Sequence, residues 1–136
     1  MNVIETYPQV VMAIGATALI SIIQLLIADA IGIVSKHTPG TPVEANHDSV
    51  LFRASRVVAN TNESIAIFIL AAAFCVLTSA PASFVGLCSW AYVVSRLLYA
   101  VCYYANLQTM RSVIFGLSIL SLCALLGSGF IAWFNG

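Results

Sequence analysis

Charge is what this 136-residue sequence has least of: Asp, Glu, Lys and Arg together make up 7% of it. A soluble domain carries about a quarter. The formal net charge is zero and no run of Lys or Arg occurs, which excludes a nucleic-acid partner. Cysteine is sparse too. Cys75, Cys88, Cys102 and Cys123 lie singly inside apolar stretches with no C-x-x-C pair, so neither a disulfide framework nor a zinc site is expected. The two histidines, His37 and His47, are too far apart for a helical metal pair. They read as solvated loop residues, and no metal is expected. Against these absences, 61% of the residues are hydrophobic and the mean hydropathy is +1.01. Such a composition belongs to an integral membrane protein. Met1–Gln9 contains no Lys or Arg, unlike a secretory leader, so the first apolar run is expected to remain as a membrane helix.

Four runs are long enough to cross a bilayer, at about 9–34, 47–78, 82–106 and 111–134. Val10–Ala28 forms the heart of the first, with Gln24 and Asp29 towards its far end. Asp29 either snorkels to the interface or pairs with an arginine. Ser35–Asp48, with Pro39-Gly40 and Pro42, is the one substantial loop, and Asn46 or Asp48 is the expected cap of the second helix. Pro81 breaks the chain before the third span, and Asn106–Met110 before the fourth, which Arg111-Ser112 opens. Short connections make neighbouring spans antiparallel. The fold expected is all-α, an up-down four-helix membrane bundle forming one domain over residues 1–136.

Lys36, Arg53, Arg56 and Arg111 cluster about the first and third connections, while the termini and the second connection hold no Lys or Arg. By the positive-inside rule the first and third connections face the cytoplasm and both termini lie outside.

The few charges are not scattered. Arg53, Arg56, Asn60 and Glu63 follow at steps of three, four and three, which stacks them on one helix face. Arg96 sits within the third span on one face with Tyr92, Tyr99 and Tyr103. Antiparallel packing brings both sets to one level of the bundle, beside Arg111. An arginine at the centre of a membrane helix costs roughly 2.5–3.5 kcal/mol on insertion scales, so these groups must face protein, water or a ligand. They could serve only as ion pairs locking the helices, with the tyrosine stripe as packing. Glu63, however, neutralises one arginine and leaves at least two cations over. That excess, beside amides and phenols, suits an anion pocket. Arginine forks fit carboxylates, and Glu63 fits an ammonium. A small peptide with two carboxylates and one amine would satisfy the set.

Arg56-x-x-x-Asn60-x-x-Glu63 on the second helix resembles the signature of the MAPEG superfamily, membrane-associated proteins in eicosanoid and glutathione metabolism. The likeness continues through Arg96-Leu-Leu-Tyr99-Ala-Val-Cys-Tyr103 and Arg111-Ser112, and the chain length is similar to that of bacterial members. The resemblance implies a homotrimer of four-helix subunits, in the bacterial inner membrane, with glutathione held between neighbours near the cytoplasmic face. It implies transferase or peroxidase chemistry on lipophilic electrophiles or hydroperoxides that enter from the bilayer. Carried over by position, Arg56, Asn60, Glu63, Arg96, Tyr99 and Tyr103 bind glutathione, with Arg53 at the rim. Arg111 is the catalytic group that stabilises the thiolate, and Ser112 matches a serine found in some members. Val57-Val58 stand where the family often has Ala-His or Ala-Gln, so fewer hydrogen-bond donors are expected. The acceptor is expected to enter along a seam between the first and fourth spans. The competing reading is a non-catalytic scaffold, or a lipid- or peptide-binding protein, of the same fold. A transporter is disfavoured, because the first and fourth spans offer almost no polar path.

Overall fold

The computed structural model describes residues 2–136. A one-turn helix, α1 (Val3–Thr6), precedes four long helices: α2 (Pro8–Val34), α3 (Val50–Leu77), α4 (Ala82–Tyr104) and α5 (Gln108–Asn135). Each of the four is long and apolar enough to span a membrane. The protein is an all-α, multi-pass membrane bundle. α3 and α4 form its middle, each packed on α2 and on α5. α2 and α5 themselves share no substantial interface within the subunit, so the expected seam between the first and fourth spans is not there. Short connections fix which helices run antiparallel, and they leave open which pair lies on the diagonal.

Helix ends explain the connections. α2, α3 and α4 all finish in the same motif, with a non-glycine residue in the left-handed region: Lys36 (φ 54°), Ser79 (φ 56°) and Asn106 (φ 58°). In each, the next N–H returns to a carbonyl five residues back: His37 to Gly32, Ala80 to Cys75, Leu107 to Cys102. These Schellman closures satisfy carbonyls that would otherwise be orphaned near lipid. The third connection is consequently shorter than Asn106–Met110, and Gln108–Met110 already belong to α5. At the start of α3 the cap is Ser49, whose Oγ accepts from the Phe52 N–H (3.4 Å), and not Asn46 or Asp48. Asn46 is engaged in a local turn, its Oδ1 accepting from the Asp48 N–H (2.9 Å).

Packing divides into two layers. Towards the termini, Val10, Phe68, Ala72, Cys75, Val85, Tyr92 and Leu125 build an apolar core. Phe68 stacks on Tyr92 (4.5 Å between centroids), and the Tyr7 hydroxyl donates to the Ala80 carbonyl (2.7 Å). Tyr92 exchanges a hydrogen bond with Ser64 (2.8 Å), which draws it into this core and away from the other tyrosines. Gly86 and Gly129 permit close approach: a Cβ at Gly129 would lie 2.5 Å from the Phe74 ring. Towards the opposite end, a smaller cluster of Val57, Tyr99, Ala100, Cys102, Tyr103 and Ile114 surrounds the polar ladder. Between the layers, Thr61 donates to Gln24 Oε1 (2.7 Å), tying α3 to α2.

Candidate functional site

The first turns of α3, the last turns of α4 and the first turns of α5 meet at one end of the bundle. Three- and four-residue spacing on α3 puts Arg56, Asn60 and Glu63 on one side. Arg96, Tyr99 and Tyr103 come down α4 at the same spacing to face them. Arg56, Asn60, Tyr99, Tyr103, Arg111, Ser112 and Phe115 line a cleft of about 250 Å³. Six of these seven stand among the residues singled out from the sequence. Phe115 does not, although it follows Arg111 by four and so shares its helix face.

Arg96 lies beneath the cleft, 2% exposed. One of its terminal nitrogens donates to Asn60 Oδ1, and its guanidinium sits 4.5 Å from the Tyr99 ring centroid and 5.9 Å from that of Phe115. Its Nε and Nη1 are buried with no hydrogen-bond partner. Among the described residues the only ion pair joins Arg56 to Glu63, at 3.9 Å and largely in the open. Asn60 Nδ2 donates to the other Glu63 oxygen at 3.5 Å, so that carboxylate reaches Arg96 only through an intervening amide. Asp29 forms no ion pair and is exposed on α2. The Arg111 guanidinium lies over the Tyr103 ring (4.4 Å) with no acid beside it. Ser112 lines the cleft while its hydroxyl donates back to the Gln108 carbonyl (3.1 Å).

Three of the nine sequence-derived site residues do not line the cleft: Arg96 lies beneath it, and Arg53 and Glu63 are placed apart from it. Arg53 turns towards the loop and donates from Nη1 to the His47 carbonyl (2.6 Å). Glu63 stands outside the lining, 60% exposed. His47 is not a solvated loop histidine: its ring packs edge-on to Phe52 and stacks on Tyr103. A larger cleft, about 740 Å³, opens at the other end of the bundle between the α3–α4 turn and the end of α5, and no charged side chain lines it. The smaller one is lined by the guanidinium groups of Arg56 and Arg111, with Arg96 beneath it and Glu63 at its edge as the one nearby carboxylate. No cluster of metal-ligating residues occurs among the described residues.

Residues 10–131 match the model of the MAPEG family. The chain belongs to the MAPEG family. That family includes glutathione transferases, glutathione peroxidases and proteins of eicosanoid synthesis. Not all its members are catalytic. A comparison with curated proteins returns no match. For this MAPEG protein, a membrane function linked to glutathione fits a cleft whose walls are cationic and aromatic and whose surroundings are apolar.

Proposed function

We propose that this protein is a membrane-bound glutathione transferase or peroxidase acting on lipophilic electrophiles or hydroperoxides. The observation that carries the reading is Arg96: a buried guanidinium with two unpartnered nitrogens and no carboxylate in contact. Leaving a buried charged donor unmade is costly, so an anionic guest is the natural partner. In this reading Arg56, Asn60, Arg96, Tyr99 and Tyr103 hold the glutathione carboxylates and backbone, and Glu63 takes its ammonium. Arg53 serves at the rim through the loop it anchors.

Arg111 supports the chemistry. A guanidinium beside a thiol favours the thiolate, which is the nucleophilic form. The thiol proton passes to solvent, the sulfur forms a bond to the electrophilic carbon, and the leaving group departs with the bonding pair. Positioning and thiolate stabilisation supply the catalysis, since glutathione brings its own nucleophile.

The cleft is small and open beside Arg56 and Glu63 for a site that buries a tripeptide, since ligand pockets usually span about 300–1,000 Å³. A homotrimer in which a neighbouring copy closes the site accounts for both its size and the exposure of Glu63. The charge distribution supports an orientation with the cleft towards the cytoplasm and both termini outside, and the resemblance to bacterial members supports an inner-membrane location. Residues 1–136 make up one such domain in this reading. The test is glutathione-dependent turnover of a reactive aryl halide by the purified protein in detergent or nanodiscs; absence of turnover above the uncatalysed rate contradicts the enzymatic reading.

A further inference from the structure

His47 lies in the connection between α2 and α3, does not line the cleft, and has no part in the chemistry described so far. Its surroundings are nonetheless built. The imidazole stacks on Tyr103, 6.1 Å between centroids with planes 28° apart, and meets the Phe52 ring edge-on at 5.1 Å. Its Nδ1 is buried with no hydrogen-bond partner, so packing and not hydrogen bonding holds the ring on that side. The backbone is pinned as well, because Arg53 donates to the His47 carbonyl at 2.6 Å. Tyr103 in turn carries the Arg111 guanidinium at 4.4 Å from its centroid. Loop, α4 and α5 are thus joined through one tyrosine ring.

We propose that His47 is a positioning residue: its ring, clamped by Arg53, holds Tyr103 in place, and Tyr103 holds the Arg111 guanidinium at the cleft. The role of Arg111 in this statement rests on the glutathione reading above; the hold on Tyr103 does not. A cation over an aromatic face is constrained only as well as the ring itself. Tyr103 has one shoulder on Tyr99 (5.5 Å) and the other on His47, whose carbonyl Arg53 ties to the start of α3. The contact His47 makes is an aromatic one. Phenylalanine should therefore replace it, and alanine should not.

The test places 3-fluorotyrosine at position 103 and records its fluorine resonance in the unmodified background, His47→Ala and His47→Phe, in nanodiscs without ligand. The expected result is a shifted, narrower line in His47→Ala that returns towards its original position in His47→Phe. With glutathione and an aryl halide, kcat for His47→Ala should fall about tenfold or more, as for a misplaced catalytic group. KM for glutathione should rise as well, because Tyr103 is one of the groups that hold it. His47→Phe should restore kcat. An unchanged resonance in His47→Ala overturns the proposal, as does a moved resonance with kcat intact, or a failure of phenylalanine to rescue. If the unmodified protein turns over no glutathione, the functional reading falls, and the fluorine resonance still decides whether His47 holds Tyr103.

Discussion

Arg96 and Asn60 are joined across the α3–α4 interface by a hydrogen bond from the guanidinium to the amide oxygen, with no carboxylate in contact with the arginine. A helix lock built from ion pairs would place an acid there. Here a neutral amide holds a cation, and the cation keeps donors in reserve. Asn60→Leu should therefore destabilise the ligand-free protein by about 1–3 kcal/mol, the usual cost of an unsatisfied buried polar group. Thermal unfolding in detergent measures it; no loss would mean that Arg96 finds another partner.

Glu63 separates the lock from the pocket. Its pair with Arg56 is long and mostly solvent-facing, and such pairs contribute little. Glu63→Gln should leave the melting temperature without ligand nearly unchanged and remove most of the stabilisation that glutathione gives. A ligand stabilises in proportion to the logarithm of its concentration over Kd, so a glutathione series at fixed protein concentration shows the difference. An equal drop with and without glutathione would favour the lock.

Arg111→Ala should reduce turnover of an aryl halide by about a hundredfold, the scale for removing one electrostatic stabiliser from an active site. Its guanidinium rests on the surface of Tyr103 and crosses no helix interface as an ion pair, so assembly should survive. Size-exclusion chromatography with in-line light scattering checks the assembly while turnover is measured. Unchanged turnover would remove Arg111 from the chemistry.

The connection between α3 and α4 offers a test of the fold. Ser79 holds φ at 56°, where a side chain costs roughly 1–2 kcal/mol that glycine does not incur. Ser79→Gly should stabilise the protein by about 1 kcal/mol, less the entropy glycine loses on folding. Asn106 should gain less, since asparagine tolerates that region. Thermal melts of the two variants rank them.

Gly129 is the opposite case. A methyl group there would press on the Phe74 ring, itself edge-on to Phe130 at 5.0 Å. Gly129→Ala should cost about 1–3 kcal/mol, as overpacking does, and a neutral result would show that Phe74 can swing aside.

The spans were legible because lipid demands long apolar helices, and the ladder because four polar residues at helical spacing are conspicuous in an apolar chain. The meeting of Asn60 with Arg96 follows from antiparallel packing of two such faces. Other features have no local signature. Arg53 is spaced like its neighbours, but a side chain at the helix start reaches a loop carbonyl as readily as a pocket, and His47 supplies one. Ser49, Asn46 and Asp48 are all competent caps, and only the backbone path decides among them. Gln24 is a lone amide in an apolar run until Thr61 is packed against it from the neighbouring helix. The diagonal placement of α2 and α5 is set by which faces pack, a property of the assembled bundle.

The unpaired guanidinium of Arg96 should receive an anionic peptide. Isothermal titration of the purified protein with glutathione, alongside Arg96→Met, tests it directly. Saturable heat of binding in the unmodified protein and none in a folded Arg96→Met variant is the predicted result. No binding at all, or equal binding by the two, would mean that Arg96 does not receive the peptide.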